Sequence, residues 1–424
     1  MSAKLNQSKI VAALDIGTTK ICAVVAHQLD DKFEILGISN VSSLGLKKGI
    51  VVNMSQAVNS IRLALKEAEL ASGCKIASAV VGISGSHIQS LSSQASISIK
   101  KERVKEQDIA KVLEMAKAIS IPLGYQILHS ETEYFTIDDY PVSDPTDMYA
   151  SRLQAKVHII IGSVSYVQNL IRCCELAGIF VSDIVLEHLA SADAVLSADE
   201  KVIGCGVLDI GGGTSDFAVF NNGALKDTKV FAVASSQITN DLAVCLRSSL
   251  KDAERVKFQY EILKNTPQDQ TVEIELAQGL VTQSVPVHML TSVIESRVYE
   301  LFSLLEQEIR TKNLQRFMSA GIILTGGGSL LHGIDQVAQS ILNCPVRLGA
   351  PNFEGFQKDS ISSPIYSTVF GLMKQKCEKS HKNFDNNLTG PLISRIFLRM
   401  KSWVTGTSGS STPSSGTPGT RNSW

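Results

Sequence analysis

Three glycine-rich turns, each directly after a short apolar run, are the part of this sequence best suited to chemistry. They are Gly17-Thr18-Thr19-Lys20 after Asp15, Gly211-Gly212-Gly213-Thr214 after Asp209, and Gly326-Gly327-Gly328. Glycine tolerates positive φ and lets main-chain N–H groups approach phosphate oxygens, and an aspartate at the end of a strand can hold a metal ion through water. The trio therefore predicts a nucleotide clamped between two halves of the chain.

The segments around these turns repeat in the two halves. Short β-branched runs predict strands, and apolar residues at helical spacing predict helices. The first half has predicted strands at 10–14, 21–26 and 33–39 and a helix at 58–70; the second has strands at 206–208, 217–220, 224–231, 272–276 and 321–324 and helices at 238–260 and 288–309. The sequence thus predicts an internally duplicated α/β protein.

Three other segments differ in composition from these halves. Residues 84–161 contain a strand of alternating Ser and Ile at 92–99 and a helix around 108–118, and are predicted to be an inserted subdomain. From Lys376 the chain becomes polar, which predicts a flexible linker over 376–390. The Ser, Thr, Gly and Pro-rich tail over 405–424 is predicted to be disordered.

Between linker and tail, residues 391–404 show the spacing of one apolar helical face. The apolar residues are Ile393, Ile396, Phe397, Met400, Trp403 and Val404; the basic residues are Arg395, Arg399 and Lys401. A short amphipathic helix on its own is more often docked on a protein core. The polar flank, the absence of acidic residues and Trp403 favour instead a helix that lies on anionic membrane lipids.

Composition excludes several classes of protein. The 424 residues carry 40 Lys and Arg against 41 Asp and Glu, which disfavours a nucleic-acid partner. The eight cysteines include no C-x-x-C pair and the eight histidines are dispersed, so we expect reduced thiols, no zinc site, and core or surface roles for His129 and His158. The first apolar stretch lacks a secretory pattern and no run reaches about 20 apolar residues, so any membrane contact is expected to be peripheral.

The glycine turns and the duplicated halves resemble the actin, chaperone and sugar-kinase ATPase fold. The resemblance narrows to the FtsA family of bacterial cell-division proteins and extends from about residue 10 to 403. The segments that carry it are 153–158, 207–216, 238–241, 320–328 and 345–351. It implies an α/β, actin-like duplicated ATPase fold, with two lobes of four subdomains and an inserted subdomain in the first lobe.

The resemblance also implies a domain organisation. Its parts are subdomain 1A (1–83 and 162–200), the inserted subdomain 1C (84–161), 2A (201–234 and 303–375), 2B (235–302), the linker (376–390), an amphipathic membrane-targeting helix (391–404) and the tail (405–424). Subdomain 1C would serve self-association and bind later division proteins. Subdomain 2B would dock the C-terminal peptide of FtsZ, with Arg297 as a candidate contact, although Arg297 could equally form an internal ion pair.

Residue by residue, the resemblance implies a site for ATP and Mg²⁺. Gly17 to Lys20 and Gly211 to Thr214 would form the phosphate loops and Gly326 to Gly328 the adenosine-side loop. Asp15 and Asp209 would face Mg²⁺ through water, and Glu254 and Lys257 would flank the adenine or ribose. Glu187 is followed by His188, where the family often has proline. It would orient the attacking water or simply act as a capping acid.

The function implied is a cell-division adaptor that binds ATP, polymerises, tethers FtsZ filaments to the cytoplasmic face of the inner membrane at the septum, and recruits later division proteins. Only the phosphate cradle is plain in the sequence, so at most weak ATP hydrolysis is expected. The alternatives are a type IV pilus-assembly adaptor of the PilM kind, which lacks the amphipathic helix, and a sugar kinase-like ATPase. A chaperone-like ATPase would need a substrate domain after the second half.

Overall fold

The computed structural model describes residues 10–29, 32–260, 270–276, 282–351 and 362–382. The amphipathic segment, the tail and residues 383–390 of the predicted linker lie outside these ranges. No helix among the described residues is long and apolar enough to cross a bilayer.

The first lobe is built on a five-stranded sheet of order β11-β6-β1-β2-β3. Its elements before the insertion are β1 Ile10–Ile16, β2 Lys20–Leu29, β3 Lys32–Ser42, β4 Leu46–Lys47, β5 Ile50–Val51, α1 Met54–Ser72 and β6 Ser78–Ile83. Strand β1 pairs antiparallel with β2 and parallel with β6. Its residues are buried except at the start, as expected for a central strand covered on both faces.

The inserted subdomain forms a separate four-stranded sheet of order β7-β10-β8-β9. Its elements are β7 Gln89–Arg103, α2 Glu106–Lys117, β8 Tyr125–Ile137, β9 Tyr140–Val142 and β10 Tyr149–Ser163. The amphipathic α2 buries Val112 and Ala116 against one face of this sheet, where Leu153 and Ala155 are fully buried. The chain then returns to the first lobe through α3 Val164–Ala177, β11 Phe180–Leu186, α4 Glu187–Val195 and α5 Ala198–Ile203.

The second lobe repeats the topology of the first. Its five-stranded sheet has the order β14-β13-β12-β17-β18, and its central strand again pairs antiparallel with the next strand and parallel with a later one. The elements are β12 Cys205–Ile210, β13 Ser215–Asn221, β14 Ala224–Phe231, α6 Ser235–Leu246, α7 Leu250–Lys257, β15 Thr271–Glu275, β16 Thr282–Pro286, α8 Val287–Thr311, β17 Ile322–Thr325, α9 Ile334–Leu342, β18 Val346–Leu348 and α10 Ser367–Lys382. The predicted duplicated, two-lobed α/β fold is confirmed.

The last helix, α10, returns to the first lobe. It buries Val369, Phe370, Leu372 and Met373 against the face of the first sheet that carries Val24 and Val80. The opposite face packs against α1 and α3, and this larger core also contains second-lobe residues such as Val207 and Ala218. The two lobes therefore share apolar packing at their base, below the ends of strands β1 and β12.

Several predicted boundaries differ from the structure. The helical stretch 238–260 is two helices, because Arg247 adopts a left-handed conformation (φ 52°) that ends α6, and Ser249 caps α7 through Asp252 N–H. The expected boundaries at 200/201 and 302/303 fall inside α5 and α8. Helix α8 contributes to one core shared by the predicted subdomains 2A and 2B, which explains why the chain does not break there.

The predicted linker also begins too early. Helix α10 continues to Lys382, so residues 376–382 are helical and not part of a flexible connection. Lys376 lies 3.4 Å from the Ser182 hydroxyl of β11, which ties this part of the helix to the first lobe. A polar composition is a poor signal here, because one exposed face of a docked helix is polar as well.

Candidate functional site

The predicted nucleotide, metal and catalytic residues line one cleft between the two lobes, with a cavity volume of about 220 Å³. They are Asp15, Gly17, Thr18, Thr19, Lys20, Glu187, Asp209, Gly211, Gly212, Gly213, Thr214, Glu254, Lys257, Gly326, Gly327 and Gly328. Residues from three distant parts of the sequence therefore meet at one place.

The first two turns have the same local geometry. Each closes the antiparallel hairpin at the end of a central strand, and each is fastened by one main-chain hydrogen bond of 3.0 Å, from Gly17 N–H to Lys20 O and from Gly211 N–H to Thr214 O. The third turn follows β17, which lies parallel beside β12. All three turns thus reach the cleft from the ends of adjacent or equivalent strands.

The glycines are needed because the turns touch. A Cβ at Gly212 would overlap the side chain of Thr19, so the two phosphate loops pack directly against each other. Gly326 has φ 81°, and a Cβ there would overlap the Asp209 carboxylate. Gly327 is different, since a Cβ there would meet only Ile365, at 3.7 Å. Main chain at Gly327 is therefore open to the cleft.

Four carboxylates share the floor of the cleft: Asp15, Asp209, Asp216 and Glu187. Lys20 Nζ lies 2.7 Å from Asp15 Oδ2. Asp209 accepts hydrogen bonds from Ser191 and Thr368, and Ser84 donates to Asp216 Oδ2 at 2.6 Å. The floor of the cleft therefore concentrates negative charge around the Lys20–Asp15 ion pair.

Burial and mutual repulsion shift the protonation of these acids. Burial raises the pKa of Asp216 to about 7 and raises the pKa of Asp209 as well, although hydrogen bonds from Ser84 and Ser191 oppose the shifts. Burial, then the charges of Asp15 and the other two aspartates, raises the pKa of Glu187. The cluster is strained electrostatically without a cation.

This donor set suits Mg²⁺. Hard oxygen ligands and uncompensated negative charge favour a divalent cation, and Mg²⁺ is commonly held by one or two carboxylates together with phosphates and water. Asp216 Oδ1 is buried with no hydrogen-bond partner, which leaves an acceptor facing this cluster. Across the described ranges, no three His, Cys, Asp or Glu side chains are arranged to hold a metal unaided, so phosphate or water ligands would be needed.

Asp216→Asn should remove a pH-dependent penalty on stability. Because the folded-state pKa is about 7 and the usual value is 3.8, the unfolded chain releases this proton first, and wild-type stability falls as pH rises between about 4 and 7. Above pH 7 the variant should be more stable by about 2 to 4 kcal/mol. Thermal unfolding between pH 5 and 8 measures this, with the exposed Asp199→Asn as control. Parallel curves for wild type and Asp216→Asn would contradict it.

The opposite side of the cleft combines one buried ammonium with apolar side chains. Lys257 is only 1% exposed, and its Nζ donates to Ser235 Oγ at 2.8 Å, Thr239 Oγ1 at 2.9 Å and Glu254 Oε2 at 2.7 Å. Burial lowers the Lys257 pKa, and the Glu254 carboxylate partly offsets this effect. The apolar lining residues are Phe258, Leu330 and Ile365. This side can accept a flat ring with polar edges.

Arg297 does not reach the cleft. It lies on α8, and its guanidinium forms ion pairs with Asp241 of α6 and with Glu300 one helical turn away. The internal ion pair left open by the sequence is therefore present, and a contact with a partner peptide stays a prediction. The predicted membrane residues Ile393, Arg395, Ile396, Phe397, Arg399, Met400, Lys401 and Trp403 lie outside the described residues.

Ser84 and Asp216 are among the cleft residues that were not predicted from the sequence as site residues. Asp216 lies directly opposite Asp209 in the β12–β13 hairpin, so the hairpin register could have revealed it. The duplication would not have helped, since Cys22 lies opposite Asp15 in the first lobe. Ser84, just after β6, carries no sequence signal.

The histidines are less dispersed than the sequence suggests. His129, His158 and His188 are near enough to influence one another's charge, at the junction of α4 with the sheet of 1C. Burial lowers the pKa of His188 to about 3, and its two ring nitrogens have no hydrogen-bond partner. His158 and His188 are buried, which fits the expected role as core residues, whereas His129 is partly exposed and its Nε2 lies 3.6 Å from Glu131 Oε2.

Comparison with known proteins agrees with the family resemblance found in the sequence. A family model described as cell division protein FtsA matches residues 206–371, and one described as the SHS2 domain inserted in FtsA matches residues 85–161. The cell division protein FtsA of Pseudomonas aeruginosa is 38% identical over 414 residues, covering 95% of this chain and 99% of that protein. FtsA of Escherichia coli K12 is 32% identical over 416 residues, covering 95% and 99%.

Solved structures share the fold at low identity. A PilM–PilN type IV pilus biogenesis complex matches with a TM-score of 0.62 and 16% identity, covering 87% of this chain and 98% of the matched one. MreB5 of Spiroplasma citri bound to ADP matches with a TM-score of 0.54 and 15% identity, covering 90% and 100%. These likenesses establish the actin-like fold, and the near full-length identities establish the family: the chain belongs to the FtsA family of bacterial cell-division proteins.

Proposed function

We propose that this chain is an ATP-binding, actin-like adaptor that tethers FtsZ filaments to the cytoplasmic face of the cell membrane and recruits later division proteins. The observation that carries the nucleotide part is the convergence of three glycine turns and four carboxylates on one interlobe cleft. Membership of the FtsA family supports the division role. The membrane part rests on the amphipathic pattern of residues 391–404.

In this proposal ATP binds with its phosphates between the first two turns. Main-chain N–H groups of Thr18, Thr19, Gly212 and Gly213, which are not the ones that close the turns, would hold the phosphate oxygens together with the Thr18, Thr19 and Thr214 hydroxyls. Lys20 would add a positive charge beside them. The adenosine would lie against Gly326 to Gly328, with Glu254 and Lys257 at the ribose. A protein of the same fold, MreB5 of Spiroplasma citri, has been solved with ADP and with AMPPNP, which supports the binding of a nucleotide.

Mg²⁺, held by Asp15 and Asp209 through water, would offset the charge of the carboxylate cluster and of the phosphates. Glu187, the first residue of α4, lines the same cleft and would orient the attacking water or act as a capping acid. Phosphoryl transfer needs a positioned nucleophile as well as a phosphate cradle, and only the cradle is supported by the glycine turns. We therefore propose slow hydrolysis at most, with nucleotide binding used to set the lobe arrangement that favours polymerisation.

The partner surfaces follow from the same proposal. Subdomain 1C would mediate contacts between protomers and with later division proteins, and its match to a domain described as inserted in FtsA supports a family-specific role. Subdomain 2B would dock the FtsZ C-terminal peptide. The helix over 391–404 would bind anionic lipid and bring the adaptor to the inner membrane at the septum.

Binding of the FtsZ C-terminal peptide tests the adaptor role. The full chain should capture the peptide in a pull-down, and Arg297→Glu should weaken capture about tenfold or more by breaking the pairs with Asp241 and Glu300 and repelling an acidic peptide. Arg310→Glu is the matched control, since Arg310 lies on the same helix in an exposed pair with Glu306. Crosslinks from the peptide only to residues 84–161 would contradict docking on 2B.

The pull-down also separates the alternatives. A pilus adaptor or a sugar kinase would share the cleft but would not retain the FtsZ peptide. The likeness to the PilM–PilN complex, at 16% identity, concerns the fold alone. Extensive identity to FtsA proteins favours the division adaptor over both.

A further inference from the structure

The inserted subdomain is attached to both lobes, although the chain enters and leaves it from the first lobe alone. Its sheet abuts the edge strand β14 of the second lobe. Ser90 Oγ of β7 donates to Thr228 O at 2.9 Å, His158 Nε2 lies 3.3 Å from Thr228 Oγ1, and Lys226 Nζ donates to Glu133 O at 3.2 Å. We call this contact between 1C and β14 the seam.

The seam is polar. Lys312, just after α8, pairs with Asp227 at 2.7 Å, and Ser90 Oγ also lies 3.3 Å from Asp227 Oδ1. Asp227, Thr228, Glu133 and His158 are buried, whereas Ser90 and Lys226 are partly exposed. Because the seam contacts named above are made by side chains, a small displacement changes hydrogen-bond partners without unfolding either sheet.

A second attachment lies inside the cleft, at Ser84. This residue follows β6 immediately, precedes the first strand of 1C, and is only 4% exposed. Its hydroxyl donates to Asp216 Oδ2 at 2.6 Å and lies 3.2 Å from Thr214 Oγ1, and both partners belong to the second lobe. The main chain of Ser84 packs against Gly49, because a Cβ added at Gly49 would lie only 2.7 Å from Ser84 O. Gly49 N–H in turn donates to Thr18 Oγ1 of the first phosphate loop at 3.0 Å.

Ser84 thus lies between both phosphate loops and the root of the inserted subdomain. Gly85, the next residue, has φ 148°, a conformation that glycine adopts easily, and its carbonyl accepts from Ile88 N–H at 3.0 Å. The direction of β7 is set just beyond this point. A displacement of Thr214 or Asp216 acts on the base of 1C through a single buried hydroxyl.

We propose that Ser84 couples the interlobe cleft to the inserted subdomain, so that nucleotide binding moves 1C along the seam with β14. The inference rests on the proposed binding of ATP in the cleft. Since 1C is covalently part of the first lobe but touches the second lobe at Ser84 and at the seam, a change in the angle between the lobes cannot leave both attachments unchanged. The position of a surface on 1C would then depend on whether the cleft holds a nucleotide.

Hydrogen exchange of the full chain, with and without saturating Mg-ATP, tests this coupling. In the wild type, amide exchange in β7 (89–103) and β14 (224–231) should change about threefold or more on adding nucleotide. Ser90→Ala removes a seam contact outside the cleft, so ATP affinity should stay unchanged while the exchange response falls by about half or more. Ser96→Ala is the control, because Ser96 is exposed on the same strand.

Ser84→Ala, assayed at saturating Mg-ATP, should also lose most of the response in β7. Persistence of the full wild-type response in either Ser84→Ala or Ser90→Ala would overturn the coupling, as would a wild type that binds ATP with no change in β7 or β14. Calorimetric titration with Mg-ATP distinguishes failure of the coupling from failure of the proposed nucleotide binding. A wild type that does not bind ATP refutes the proposed function, and the coupling with it.

Discussion

Gly212→Val should lower ATP affinity by about 100-fold or more. Gly212 is in the second phosphate loop, and a side chain there would occupy the space of Thr19 in the first loop. The loops would separate, and main-chain N–H groups that hold a charged phosphate, worth about 1.5 to 3 kcal/mol each, would be lost. Isothermal titration with Mg-ATP measures the effect.

A second pair of variants distinguishes loss of the loop contact from loss of approach to phosphate. Thr19→Ala combined with Gly212→Val removes the overlap with Thr19 Oγ1 and Cγ2 but not with its Cβ, so thermal stability should partly recover while ATP binding stays weak. Gly327→Ala adds a Cβ where only Ile365 is near, so it should preserve stability and reduce affinity through the adenosine side alone. Unchanged ATP affinity in Gly212→Val, with the protein folded, would refute the clamp.

Replacing both Phe397 and Trp403 with Glu should release the protein from anionic vesicles. Each aromatic side chain gains about 1.5 to 3 kcal/mol on burial, and each basic residue near anionic lipid adds about 1 kcal/mol, so binding should fall by about 100-fold or more. ATP binding should persist, because the cleft is formed by residues in other parts of the chain. Co-sedimentation with vesicles containing anionic lipid measures the loss.

Two controls accompany the vesicle experiment. Removal of residues 405–424 should leave binding unchanged, since that tail has no apolar face. Binding should also strengthen when protomers polymerise, because many weak anchors then engage together. Wild-type co-sedimentation of the double Glu variant would show that residues 391–404 are not the anchor.

The sequence alone determined the glycine turns of the cleft and two of its aspartates. The phosphate-binding turns could be predicted because each depends on consecutive residues: an apolar strand followed by glycine at Gly17, Gly211 or Gly326. Asp15 and Asp209 precede two of these glycines. The alternation and spacing of apolar residues likewise predicted the duplicated sheets, because hydrophobic period is a local property. All the residues predicted this way line one cleft.

The tertiary structure alone decided which polar residues meet across the lobes. Ser84 and Asp216 are 132 positions apart, and Ser191 and Thr368 reach Asp209 from α4 and α10. Serine and threonine are common surface residues with no periodic signature, so their contacts depend on how the lobes pack. For the same reason, only the fold could choose the ion pair of Arg297, extend α10 to Lys382, and seat the inserted subdomain on β14.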